Sequence, residues 1–254
     1  MANAKAITLL ASGTQTAAGD GSAVDLGETV GDYLVLRSAV QVVIPVTAFA
    51  LESPAPPDPE PVLTLSIETR DATADPWETI VTLEIEATGR YTLSAGDLGR
   101  YVRLSWELGV GLESVDFGAT GQAHVVYCDP RDLTKTCVPE RSVADITASA
   151  RADACISASD EADGYIGGAY TLPLLAWPND LRDHTARIAT GIIFAHRGVD
   201  PQGPDANVLL ERDRALKWLD RLANGRLSPP GLIDSTEDVF EGGSVVISIP
   251  SRLG

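Results

Sequence analysis

From Ala6 to Tyr127 apolar and polar residues alternate with a period of two. In 62–69, Leu63, Leu65 and Ile67 point one way and Thr64, Ser66 and Glu68 the other. The pattern returns with Val81, Leu83 and Ile85, and again with Val102, Leu104 and Trp106. Such alternation marks antiparallel strands with one face in a core and one in water, so Trp106 is expected inside. Further strands are predicted near 6–11, 23–27, 33–37, 40–51, 90–94 and 115–127. Turn signals at 19–21, Gly31-Asp32, Asp75-Pro76, Gly89 and 109–111 separate them. Short strands at this spacing predict an antiparallel β-sandwich over 1–126, either Ig-like or jelly-roll. Spacing alone does not separate the two. The stretch 53–61 holds five prolines; because proline lacks the backbone donor, it reads as a stiff exposed loop between strands.

After Tyr127 the period changes. Asp129 and Pro130 read as N-cap and first residue of a short helix over 130–135. A longer helix is predicted from Thr147 to about Ile166. Ala150, Ala154, Ile156 or Ser157, and Ala158 lie on one side of it, small enough for a close neighbour. Pro178 and Asp180 open the next helix, with an apolar stripe of Leu181, Ile188, Ala189, Ile192 and Phe194 or Ala195, ending at Gly198. Asp205 is expected to cap a last helix in which Val208, Leu209, Arg212, Leu216, Leu219 and Leu222 share a face. Asp213 and Lys217 are spaced as a supporting pair on it. Gly225 is placed as the glycine that ends it, before Pro229-Pro230.

The expected fold class is therefore α+β in two domains. An N-terminal antiparallel β-sandwich (1–126) precedes a small all-α bundle of about four helices (127–231) and a C-terminal arm (232–254). The arm ends in a β-prone run, Ser244 to Pro250, with no obvious partner in a helical domain. We expect it to add to another subunit's sheet, with Val245, Val246 and Ile247 in the contact, rather than fold back on its own sandwich.

Charge narrows the function. The chain has 19 Lys and Arg against 36 Asp and Glu, a net charge of −17, and both halves are acidic. Such a surface repels phosphate backbones, so sequence-specific DNA binding is not expected. Three cysteines, Cys128, Cys137 and Cys155, form no C-x-x-C pair, and their odd number argues against a disulfide framework. No apolar run reaches the roughly 20 residues of a membrane span, and the N-terminus does not resemble a signal peptide. Synthesis in the cytoplasm is expected.

No catalytic, cofactor or metal residue is assigned. The histidines, His124, His184 and His196, lack metal-binding spacing, and there is no G-x-S-x-G elbow, P-loop or dinucleotide fingerprint. Asp160, Glu161 and Asp163 cluster at a helix end and read as a solvated face. Asp200 and Asp205 lack calcium-loop spacing.

The stretch from Glu161 to Leu174 carries the most information. Glu161-Ala-Asp-Gly-Tyr165 and Tyr170-Thr-Leu-Pro-Leu174 follow an aromatic start, Tyr127-Cys-Asp-Pro-Arg-Asp-Leu133. They precede Arg187-Ile-Ala189, Arg214-Ala-Leu-Lys-Trp-Leu219 and Gly225-Arg-Leu-Ser228. In this order the motifs resemble the head–tail adaptor, or connector, proteins of Mu-like tailed phages over about 127–231. The departure is the N-terminal sandwich, which resembles small β-sandwich modules of phage structural proteins.

The resemblance implies a structural virion protein at the phage neck, made in the host bacterial cytoplasm. It implies a ring, dodecameric in expectation, that contacts the portal protein and other neck or tail-completion proteins. DNA would pass through the lumen without sequence-specific binding. Asp163, Tyr165, Tyr170, Pro173, Leu174 and Trp218 are the structural or interface candidates. Of these, Tyr165, Tyr170 and Pro173 are expected to fix the inter-helix turn, and Trp218 to anchor the closing helix. A second reading makes the sandwich a binding module for sugar or a host surface, which an exposed aromatic patch around Trp77 or Trp106 would mark.

Overall fold

The computed structural model describes residues 4–30, 33–53, 62–198 and 206–235. The alternating half folds as two sheets. One contains β1 (Ala4–Gln15), β6 (Ala39–Leu51), β9 (Gly89–Gly96) and β11 (Leu112–His124) in the order β1-β11-β6-β9. In the other, β10 (Tyr101–Leu108) takes β2 (Gly19–Asp20) and β3 (Val24–Asp25) on one side. On its other side lie β7 (Leu63–Arg70) and then β8 (Glu78–Ile85). A hairpin of β4 (Gly27–Val30) and β5 (Tyr33–Leu36) stands apart. All pairings are antiparallel.

Taking β2 and β3 as one position beside β10, the pairs nest: first with last, second with second-last, and inward to β7 with β8. That nesting defines a jelly roll rather than an immunoglobulin sandwich. Period two reports which side chains point inward but not which distant strand is the neighbour, which is why the sequence left both topologies open. The inward rows form the first core, where Trp106 meets Phe117 edge-on at 5.8 Å and donates its indole N–H to Ala17 O at 2.8 Å.

The second half is helical: α1 (Pro130–Asp132), which runs into a π-turn at Leu133–Cys137, then α2 (Ala148–Ile166), α3 (Asn179–Arg197) and α4 (Ala206–Ala223). Thr147 caps α2 by accepting from Ala150 N–H. At the end of α4, Gly225 takes φ +67°. Its N–H bonds Leu222 O while Arg226 N–H bonds Arg221 O, a double bond pattern that satisfies the last carbonyls of the helix and needs a residue tolerant of positive φ.

A second core gathers Tyr127, Leu133, Val143, Leu174, Leu181, Ile188 and Leu219. A small third cluster of Ala39, Val126 and Ile156 joins the two halves. The first turns of α2 rest on the β6 and β9 strands. Ser149 Oγ accepts from Ser94 N–H, and Asp153 accepts from Ser94 Oγ at 2.6 Å and from the Gln41 amide at 2.8 Å.

Several expectations are corrected here. The small side of α2 consists of Ala152, Ala154, Cys155, Ala158, Ser159 and Ala162, whereas Ala150 and Ser157 are exposed. These small residues are consumed by the chain's own sheet and helices. On α3, Phe194 is buried and Ala195 exposed. On α4, Ala215, Leu219 and Leu222 form the buried row. Glu211 pairs with Arg187 and Arg214, and among the described residues Asp213 and Lys217 form no ion pair with each other. The turn at Gly31-Asp32, residues 54–61, Asp200 and Asp205 lie outside the described residues, as does the arm from residue 236 onward.

Candidate functional site

The polar groups at the junction act as structural ties. Tyr127, 1% exposed, enters between α2 and the 170–178 segment. Its N–H donates to Ser159 Oγ at 3.0 Å, and that hydroxyl donates to Cys155 O at 2.9 Å. The phenol O–H donates to the Asp163 carboxylate, and the ring meets Trp177 edge-on at 5.2 Å. A buried tyrosine needs a partner for its hydroxyl, and Asp163 meets that need from the last turn of α2.

The acidic cluster at the end of α2 is thereby divided. Asp160 is exposed, Asp163 receives Tyr127, and Glu161 accepts from Arg212 of α4 at 3.1 Å through both oxygens. The solvated-face reading therefore holds for Asp160 alone. Gly191 of α3 makes the Arg212–Glu161 link possible. A Cβ at 191 would lie 2.4 Å from Arg212 Cδ and 2.9 Å from its Cβ, so the arginine stem occupies the space a side chain would fill.

A second tie sits at α1. The Asp132 side chain, 4% exposed, accepts from Arg182 of α3 at 2.6 Å through each oxygen, and from Asp129 N–H at 2.9 Å. This fork-to-fork pairing fixes direction as well as distance. It raises the Arg182 guanidinium pKa further. Asp129 is less well served, because its Oδ1 has no hydrogen-bond partner. Burial first, then the charges of Asp97 and Asp132, push its carboxyl up to about 6. Asp97, held at φ 60°, is paired with Arg131.

The remaining candidates occupy varied places. Leu174 is fully buried. Tyr170 is half-buried against the helical core, and Pro173 is half-buried after a cis peptide. Trp218 is half-buried and stacks on His184 with centroids 4.5 Å apart; burial lowers the pKa of that histidine. Tyr165 is 36% exposed and lies outside the core, so it is a surface residue rather than part of the turn's packing. The turn is secured instead by residues 232–235. Ile233 bridges Ala176, Ser235 N–H bonds Thr171 O, and the Asp234 carboxylate accepts from Thr171 N–H. Val245, Val246 and Ile247 lie outside the described residues.

Sequence reasoning missed Arg182, Asp132 and Gly191, whose roles depend on contacts across helices. Tyr127 was noticed only as the start of a motif, although an aromatic immediately before a capped helix is a signal for a buried anchor. Trp106 is buried, and two guanidinium groups, of Arg70 and Arg103, lie over the Trp77 ring at 4.2 and 4.5 Å. Among the described residues there is no group of three or more His, Cys, Asp or Glu placed to hold a metal, and no helix long and apolar enough to cross a membrane.

The helical unit that these ties hold together is similar to a Mu-type phage family. The matching family model is the one described as Bacteriophage Mu, Gp36, and it covers residues 127–247, just under half of the chain. The match begins at the buried tyrosine and runs past Gly231 to take in Val245, Val246 and Ile247. No curated protein matches the chain.

Proposed function

We propose that the protein is a structural component of the phage particle: a head–tail adaptor that forms a ring at the neck, between the portal protein and the tail. The observation that carries this reading is the match of the whole helical unit to the Mu Gp36 family. The site supports it, because the buried polar groups hold helices to one another and to the sheet. In this reading the protein acts through contact geometry, without a reaction of its own. A twelve-fold ring would meet its neighbours through heterologous contacts that close by rotation. Since the small residues of α2 are buried within the chain, the ring contacts fall to other surfaces. Tyr165 and Leu210, 36% and 46% exposed, are apolar residues available for them. A net charge of −17 suits a ring whose passage DNA would cross without adhering. Other neck or tail-completion proteins would contact the outer faces. The jelly roll by itself assigns no task.

Electron microscopy tests the proposal. Purified protein is expected to form closed rings, and particles lacking it to accumulate as filled heads and separate tails. Labelled protein found away from the head–tail junction, with normal joining in its absence, would overturn it.

A further inference from the structure

We propose that strand β8 is the acceptor edge for the segment Ser244–Pro250 of a neighbouring copy, which adds to the sheet as a further strand. This rests on the ring reading above. Strand β8 pairs with β7 on one side and with no described strand on the other. Two of its apolar residues, Ile80 and Leu83, pack on the core yet remain only half-buried. A cleft of about 410 Å³ opens beside β8, between it, the end of β9 and the start of α2. The opposite seam of the jelly roll is covered: a Cβ at Gly21 would lie 2.3 Å from Leu9 O of β1, so the chain there already lies against that edge.

The segment suits the edge in pattern and charge. Val245, Ile247 and Ile249 alternate with Ser244, Val246 and Ser248, so an added strand would extend the inward row of Val81, Leu83 and Ile85. Strand β8 carries Glu78 and Glu84 and no basic residue, whereas 244–254 carries Arg252 and no acidic one. Glutamates on an edge discourage indiscriminate pairing while admitting a neutral or basic strand.

Reach selects the neighbour. Ser235 is held at Thr171, beyond the C-terminal end of α2, while Ala148 and Arg151 at the N-terminal end line the cleft. A helix of 19 residues spans about 28 Å, and the nine steps from Ser235 to Ser244 reach at most about 32 Å fully extended. Return to the same chain would need a nearly extended spacer, which favours the edge of an adjacent copy in a closed ring.

The test is amide hydrogen exchange over 78–85 in the full chain, native and Val246→Pro, across protein concentration, with assembly followed by electron microscopy. The proline removes a ladder donor, at a position outside the described residues. Protection of 78–85 is expected to rise with assembly, to fall by about tenfold in the variant, and to return when a synthetic peptide of residues 243–251 is added. Rings of Val246→Pro with unchanged exchange over 78–85 would overturn this inference and leave the adaptor reading standing. Protection independent of concentration would overturn the choice of a neighbouring copy. A native protein that forms no ring would end the adaptor reading; the strand addition would fall with it only if 78–85 also showed no concentration-dependent protection.

Discussion

Replacing Asp129 by Asn should stabilise the protein at neutral pH and leave it little changed in acid. The Asp129 carboxyl is partly buried beside Asp97 and Asp132, with Arg182 and Arg131 opposing them less strongly, and its pKa stands at about 6 against an ordinary 3.8. A folded-state pKa above the unfolded one means that the folded protein holds the extra proton between those values. The resulting stability is fully present below about pH 3.8 and is lost as pH rises through about 6, leaving an ionised group with an unpartnered Oδ1. Two pKa units correspond to about 3 kcal/mol; water reaches part of this residue, so about 1–3 kcal/mol is expected. Asn keeps the shape and the capping preference without the charge. Its backbone N–H still donates to Asp132. The assay is urea unfolding followed by tryptophan fluorescence at pH 8 and pH 4. His124 and His184, whose pKa values burial lowers, act in the opposite sense, their stability being lost as pH falls below about 6.5. They are common to both proteins and cancel in the difference. An equal gain at both pH values, or a loss at pH 8, would refute the reasoning.

Two further substitutions test the ties between helices. Gly191→Ala gains about 1 kcal/mol of helix propensity, but its Cβ meets the Arg212 stem, a clash costing about 1–3 kcal/mol. Net destabilisation is expected by thermal unfolding. Arg212→Ala relieves the contacts at Cγ and Cδ but keeps the Cβ and loses the Glu161 tie, so Gly191→Ala should cost less in the Arg212→Ala background than in the native one. Tyr127→Phe removes the O–H donated to Asp163 and should cost about 1–3 kcal/mol; no loss in urea unfolding would show that the bond is immaterial.

The two halves differed in how much could be read from sequence, for a physical reason. Inward rows such as Leu63, Leu65 and Ile67 announce themselves because alternation is local, and Thr147 and Gly225 announce helix ends because capping is local too. Pairing β1 with β11 is not local, so jelly roll and immunoglobulin sandwich shared one pattern until the neighbours were known. The same limit explains α2. Ala154 and Ala158 are legible as part of a surface for close approach, whereas Ala150, read with them, is exposed and Ala152 and Ala162 are not read at all; a small residue does not say whom it approaches. Here it approaches β6, β9 and the other helices of its own chain. Glu161 and Asp163 looked solvated for a related reason: their partners, Arg212 and Tyr127, lie 51 and 36 residues away. Once those groups are satisfied internally, the surface left for assembly is set by what the fold leaves incomplete. Among the described residues, those places are a half-covered strand edge with Ile80 and Leu83, and exposed apolar side chains such as Tyr165 and Leu210. An adaptor reading therefore predicts that assembly is more sensitive to changes at these positions than to changes along the alanine row, whose loss acts first on folding.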